Sequence, residues 1–479
     1  MYLGLDLGTS GVKALLIDES QVVIGSTQSA LTVSRPSDGW SEQNPADWIT
    51  ATTDAIHQLR DLHDLSSVKG IGLSGQMHGA TLLDQDDKVL RPCMLWNDTR
   101  SYLQAAKMDA DPRFRSITGN IVFPGFTAPK VAWVAEHEPR VFESTKKVLL
   151  PKDYLRLWLS GDYLSEMSDA AGTAWLDTGA RTWSEPLLEF TGLDRQHMPD
   201  LVEGSQIAGQ LRPALATELG LPANTPIAGG AGDNAASAVG VGVVRTGEAF
   251  VSLGTSGVLF AASENFAPAA DSALHTFCHA LPNQWHQMGV ILAATDALDW
   301  FGQLVGEPPE KLTELAGPLQ APGRAMFLPY LGGERTPHND ARVRGALIGL
   351  EHITDRAAAA RGVLEGVGFA FRDSLAAMHS CGTQPSQLIA VGGGSRADNW
   401  LQIIATTLDL PVAVPEAGDF GAAFGAARLG MMAATGSGVE IATALKISHI
   451  VEPNKAHSEA FADAYERYTR TYQALKELS

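Results

Sequence analysis

Cysteine is scarce: three residues in 479, Cys93, Cys278 and Cys381, far apart and outside any CxxC spacing. That spacing excludes a disulfide framework and a structural zinc site of the usual kind, and it fits a reducing compartment. Basic residues are also few, 35 Lys and Arg against 54 Asp and Glu, for a net charge of −19. A general nucleic-acid or anionic-membrane surface needs basic patches, so neither partner is expected. A phosphate ligand remains open, because backbone N–H groups and a metal ion can hold polyphosphate whatever the global charge. No apolar run approaches the ~18–20 residues of a membrane span, and Met1–Gly8 reads as a strand instead of a basic leader with an apolar core. The expectation is a soluble cytoplasmic protein. The glycine turn of "GGGSRADNW" (Gly392–Trp400) is neither a P-loop nor a GxGxxG fingerprint.

What is present is an ordinary globular composition, 45% hydrophobic and 19% charged, in a chain longer than one core usually organises. The hexapeptide Leu-Gly-Thr-Ser-Gly-Val occurs twice without change, at Leu7–Val12 and at Leu253–Val258. Asp6 precedes the first copy, and Ser252 holds the matching place before the second. The repeat implies two halves of similar size. The boundary is expected near Thr246-Gly247, dividing the chain into 1–244 and 245–479.

Strand-like runs at Tyr2–Leu7, Val12–Ile17 and Val22–Val33, separated by short turns, predict an antiparallel meander. Asn44 and Pro45 then cap and start a helix whose buried stripe is Trp48, Ala55, Ile56 and Leu59. Val68–Leu73 reads as a further strand. The second half repeats this logic: a hairpin about Gly254–Gly257, a long helix over Asp355–Ser380 closed by Gly382, then a strand, glycine turn and helix in "LIAVGGGSRADNWLQIIATTL". "PVAVP" and an alanine-rich helix at Gly421–Thr435 follow, while the tail beyond Thr435 carries little pattern. The fold class is therefore α/β, two duplicated domains of mixed sheets flanked by helices, facing each other across a cleft.

Five stretches could carry chemistry. The paired Gly-Thr-Ser-Gly turns, with Thr9, Ser10, Gly254 and Thr255, offer N–H and hydroxyl donors to a phosphate, and Lys13 adds a cation; a plain β-hairpin is the other reading of either copy taken alone. Asp6 ends an apolar strand beside the first turn, where it could hold Mg2+ or merely cap the turn. Asp233-Asn234, flanked by glycines in "AGGAGDNAASAVGVG", could present a proton acceptor for phosphoryl transfer or simply cap a helix. "GGGSRADNW" (Gly392–Trp400) could let a base or ribose lie against bare backbone. The polar loops "SGQMHG" (Ser74–Gly79) and "LWNDTR" (Leu95–Arg100) could hydrogen-bond a polyol against the wall of Trp96. His275, His279 and His286 lack a ligand pattern and read as core or strand histidines.

The ordered set of these motifs, with "GFTAPK", "LLPKDYLR", "SDAAGT" and "LPYLGGERTPHND", resembles the FGGY carbohydrate kinases of the actin-like, ribonuclease-H-like ATPase superfamily over almost the whole chain. "SGQMHG", "WND" and "SDAAGT" resemble most the branch acting on D-xylulose. The resemblance implies transfer of the γ-phosphoryl group of ATP, with Mg2+, to O5 of D-xylulose, and a possible homodimer. It implies Asp233 as catalytic base and Asp6 beside Mg2+ and the transferring phosphate. It places Thr9, Ser10 and Thr255 on the phosphate, Gly393, Gly394 and Asn399 on the adenosine, and Met77 and His78, with Trp96 and Asn234, on the sugar. Another ketose or a polyol (ribulose, xylitol, arabinitol) is the alternative within the family. An actin-like filament former or chaperone ATPase is the alternative outside it. On this reading one Mg2+ needs one carboxylate, and a second anion at position 252 would repel the phosphates.

Overall fold

The computed structural model describes residues 1–416 and 420–477. Two seven-stranded sheets dominate it. In the first, the order is Ile207–Gln210, Pro226–Ala228, Gly70–Gly75, Tyr2–Leu7, Gly11–Ile17 and Val23–Ala30, with Ala231–Gly232 also paired to Gly70–Gly75. In the second it is His275–Cys278, Trp285–Ile291, Gly257–Ser263, Glu248–Leu253, Gln387–Val391, Val412–Pro415 and Ile447–Val451. Each centre follows one rule: the first hairpin strand pairs antiparallel with the second and parallel with a strand on its other side. These are two α/β domains with mixed sheets, and the duplication read from the hexapeptide extends to the sheets themselves.

The third meander strand spans Val23–Ala30 instead of Val22–Val33, and one further in-register bond, Leu31 N to Ser10 O at 2.9 Å, follows it. The helix at Pro45–Leu62 begins as expected, with Asn44 Oδ1 accepting from Ala46 N at 3.2 Å. The long helix covers Arg356–Ser380, capped by the Asp355 carboxylate on Ala358 N at 2.8 Å. A short 3-10 turn, Gly393–Arg396, precedes the helix Asp398–Leu408. His275, His279 and His286 are all buried, and burial lowers the pKa of each.

Two features fix how the halves meet. Helix Ala422–Thr435 packs on the first sheet, although it lies late in the chain; Gly72 has no side chain because a Cβ there would stand 1.7 Å from Ala426 O. The same helix crosses Asp233–Val241 equally closely, a Cβ on Gly425 falling 1.7 Å from Ala236 O. On the opposite side, chain from the long insertion between Gly75 and Pro226 joins strands of the second sheet: Asn120 exchanges hydrogen bonds with the backbone of Thr276 at 2.9 and 3.0 Å. The tail beyond Thr435 is ordered structure: an edge strand at Ile447–Val451, then helix Ser458–Lys476 burying Phe461, Ala464, Tyr468 and Tyr472. Among the described residues no helix is long and apolar enough to cross a membrane.

Candidate active site

Three parallel strand ends converge. Asp6 lies beside Ser74, and Ser74 beside Ala231, so Asp233 emerges one residue beyond the end of the third strand. The Ser74 hydroxyl donates to Asp6 Oδ1 at 2.6 Å, and Lys13 stands opposite Asp6 across the hairpin. Asp233 is half-buried at the start of its helix, where Asn234 donates to Oδ1 twice, from N at 2.7 Å and Nδ2 at 3.0 Å. Burial pushes the Asp233 carboxyl up to about 6, and the charge of Asp6 adds to the rise against the two Asn234 bonds. A carboxylate with a raised pKa next to a second carboxylate is the arrangement expected of a proton acceptor at neutral pH. It also suits a hard cation that keeps water and takes phosphate oxygens, since such ions need only one or two protein carboxylates. Among the described residues no cluster of three or more His, Cys, Asp or Glu forms a fuller metal cage.

The first hairpin tip rests on a relay of side chains. Trp96, 45% exposed, donates from Nε1 to Thr9 Oγ1 at 3.0 Å. Thr9 Oγ1 donates to Gln76 Oε1 at 2.9 Å, and Gln76 Nε2 donates to Gln43 Oε1 at 2.9 Å. Gln43 also receives Trp48 Nε1 and donates to Thr9 O at 2.7 Å. The Thr9 hydroxyl proton therefore points inward, and what the tip presents outward is backbone N–H and the exposed Ser10. The second tip is held through backbone: Thr295 N and Oγ1 donate to Gly254 O at 2.9 and 3.0 Å, and Ala294 N to Thr255 O at 2.8 Å.

The identical hexapeptides do not pair identically. Leu7 faces Val12 and Asp6 faces Lys13, whereas Leu253 faces Gly257 and Ser252 faces Val258. The second turn is one residue tighter. Because side chains alternate along a strand, that shift turns Val258 to the face where Lys13 stands in the first copy. Val12 is buried, while Val258, like Lys13, is half-buried. Ser252 therefore does not reproduce the shape around Asp6.

On the first half, Met77 is buried and His78 adopts a left-handed backbone, φ 70°. Such strain in a non-glycine residue persists only where neighbours enforce it. Here Thr127 Oγ1 and Lys130 Nζ donate to His78 O at 3.1 and 3.0 Å, and the ring stacks on Phe126 at 4.7 Å. Burial lowers the His78 pKa to about 3, so the imidazole is neutral. Its Nδ1 donates to Gly172 O at 2.6 Å, which leaves Nε2 as an acceptor for a hydroxyl. The second half approaches this wall through Arg335, whose Nη1 lies 3.4 Å from His275 Nε2 and whose guanidinium covers Phe123 at 4.9 Å.

A cavity of about 760 Å3 opens between the two halves, lined among others by Ser237, Ser252, Gly392, Ser395, Arg396 and Phe420. It joins the helix of Asp233 to the glycine turn of the second sheet. Gly393 and Gly394 stand on the short turn beside it; a Cβ on Gly394 would meet Leu253 Cβ at 2.9 Å and Trp400 at 3.0 Å. Asn399 is placed differently. Its amide donates to Thr313 O and Gly317 O, and its Oδ1 accepts from Trp400 N at 2.9 Å, so the side chain pins the neighbouring helix. Sequence reasoning missed Gln43, Thr127, Lys130, Ser395, Arg396 and Phe420. Gln43, Thr127 and Lys130 act through partners distant in the chain, and Ser395, Arg396 and Phe420 are set apart only by lining the cavity.

Sequence models of the FGGY family of carbohydrate kinases match the chain in order, the N-terminal domain over residues 1–240 and the C-terminal domain over 249–434. This chain belongs to that family. Among FGGY kinases it is 46% identical over 480 residues to the xylulose kinase of Escherichia coli (strain K12), covering 99% of each chain. A crystal structure of a xyloylose kinase from Brucella ovis superposes with a TM-score of 0.99 at 61% identity over the whole of both chains. A gluconate kinase from Lactobacillus acidophilus has a TM-score of 0.93 at 23% identity, a likeness of fold alone.

Proposed function

We propose that this chain is an ATP-dependent, cytoplasmic sugar kinase that phosphorylates D-xylulose at O5, giving D-xylulose 5-phosphate and ADP. The end-to-end identity with xylulose kinases, 46% and 61%, carries the assignment.

In this reading the sugar lies on the first half against Met77, His78, Trp96 and Asn234, with the His78 Nε2 lone pair receiving one hydroxyl. ATP occupies the 760 Å3 cavity beside Gly392–Gly394, its phosphates reaching the backbone N–H groups of Thr9, Ser10 and Thr255. Asp6, steadied by Ser74, is the carboxylate that would hold Mg2+, which supplies charge neutralisation on the β- and γ-phosphates. The O5 oxygen attacks the γ-phosphorus, the bond to the β–γ bridging oxygen breaks, ADP leaves, and Asp233 takes the hydroxyl proton. The work of the protein is alignment, charge neutralisation and exclusion of the water that would otherwise hydrolyse ATP.

A coupled ADP-release assay over D-xylulose, D-ribulose, xylitol and arabinitol tests the proposal. D-xylulose should give the highest kcat/KM, with phosphorylated product equal to ADP formed. A higher kcat/KM for another sugar would reassign the substrate. ADP without phosphorylated product would place the chain among ATPases of other purpose.

A further inference from the structure

Behind Asp233 lies a cluster of charges that the reaction does not use. Lys152, Asp153, Arg156, Glu166 and Asp169 are all buried, each 0–1% exposed. Lys152 Nζ stands 2.8 Å from Asp153, 3.3 Å from Glu166 and 3.0 Å from Asp169, and Arg156 Nη1 stands 2.7 Å from Asp153. Taking five ionisable groups out of water is costly, and well-packed apolar side chains would serve stability as well or better. Asp169 meets only Lys152, at Oδ2, while its Oδ1 accepts no hydrogen bond among the described residues, and burial pushes that carboxyl up to about 8. A group kept at such cost invites the question of what it holds.

The cluster also bonds Leu164 O and the Ser165 hydroxyl, and by two routes it reaches the chain leading into Asp233. Glu166 fixes Ser168, accepting from its N at 2.7 Å and its Oγ at 3.0 Å; Ser168 Oγ in turn accepts from Gly232 N at 3.1 Å. Arg156 Nη2 donates to Gly229 O. The run between those anchors, Gly229-Gly230-Ala231-Gly232, has almost no side chain of its own with which to fix its place. It is also tightly enclosed: a Cβ at Gly229 would meet Glu203 O at 2.3 Å, and one at Gly230 would meet Leu73 O at 2.2 Å.

We propose that the Lys152–Glu166–Asp169 cluster is a positioning device for Asp233, acting through Ser168 on Gly232 and through Arg156 on Gly229. It rests on the reading of Asp233 as proton acceptor. Its members are positioning residues, since none touches the reacting atoms. Release of Gly232 lets the Asp233 carboxylate swing from Asp6 toward water, which misaligns the base and lowers its pKa.

Ser168→Ala removes one hydroxyl and is the least disruptive test; Lys152→Met strips the centre of the cluster and can fail to fold. In Ser168→Ala, kcat should fall roughly ten- to a hundredfold, with KM for D-xylulose and for ATP within about twofold of the parent. The acid limb of kcat/KM, near pH 6 in the parent, should move to lower pH. Arg156→Lys, which loses the reach to Gly229, should shift the limb the same way. A Ser168→Ala enzyme with parental kcat and an unmoved limb would overturn the proposal, as would a lower kcat matched only by a lower melting temperature. Asp233→Asn separates the two readings: normal turnover there sinks the base itself, whereas an inactive Asp233→Asn beside a normal Ser168→Ala sinks only the positioning cluster.

Discussion

The two Gly-Thr-Ser-Gly hairpins are the same six residues used in two ways. The first is propped from below by side chains, Trp96 and Gln43 on Thr9 and Gln76 beneath, and is flanked by Asp6 and Lys13. The second is gripped by the backbone of the helix start at Ala294-Thr295, closes one residue sooner, and is flanked by Ser252 and Val258. A turn sequence therefore sets the freedom of the turn, while its surroundings set the register and the chemistry beside it. Duplication supplied two phosphate-sized loops. A charged pair, Asp6 and Lys13, flanks only one of them.

Several substitutions break or sharpen that contrast. The largest effect is expected at Asp233, adjoining the first hairpin: Asp233→Ala should lower kcat by about 10²–10⁴-fold, the usual contribution of a general base, with sugar binding by calorimetry retained. Next, Ser252→Asp would give the second hairpin the charge it lacks. Facing the cavity of Gly392 and Ser395, that anion should raise KM for ATP about tenfold, some 1.4 kcal/mol of repulsion, and leave KM for the sugar nearly unchanged.

The anchoring difference is tested by stability. Gln76→Ala removes one hydrogen-bond partner from buried Gln43 and one from half-buried Thr9, and should cost about 1–3 kcal/mol in denaturant unfolding. Thr295→Ala keeps the backbone bond to Gly254 O and should cost under about 1 kcal/mol. Equal costs would remove the distinction between side-chain and backbone anchoring.

The pH dependence has a defined sign. Burial, with Asp6, raises Asp233 from 3.8 when unfolded to about 6 when folded, so folding favours its protonated form. Stability is therefore penalised above pH 6, and the penalty fades as pH falls toward 4. Asp233→Asn should stabilise the protein by on the order of 2 kcal/mol at pH 7.5, and the gain should shrink at pH 4.5. Activity runs the other way: kcat/KM should rise through pH 6 as the base loses its proton.

Much of this was legible in the sequence, for reasons that differ residue by residue. Asp6 and Asp233 stand out because a carboxylate at the end of an apolar strand or within a glycine run is chemically out of place. The capped helix at Pro45 and the long helix at Arg356 were readable because their signals are local. The register difference was not, since identical hexapeptides contain no information about what presses on them. Asn399 looked like an adenosine contact by motif, yet its amide is fully used on Thr313 and Gly317, a pairing set by tertiary packing. In the tail beyond Thr435 the helix is carried by the helical spacing of Phe461, Ala464, Tyr468 and Tyr472, a faint signal among mostly polar neighbours.

The most direct test of a repeated loop with unrepeated chemistry is D-xylulose-dependent ADP release by Asp6→Ala and Ser252→Ala side by side. Asp6→Ala should lose on the order of 100-fold or more in kcat, the scale expected when charge stabilisation at a transferring phosphate is removed, while Ser252→Ala should stay within about fivefold of the parent. Comparable losses in the two variants would contradict the account.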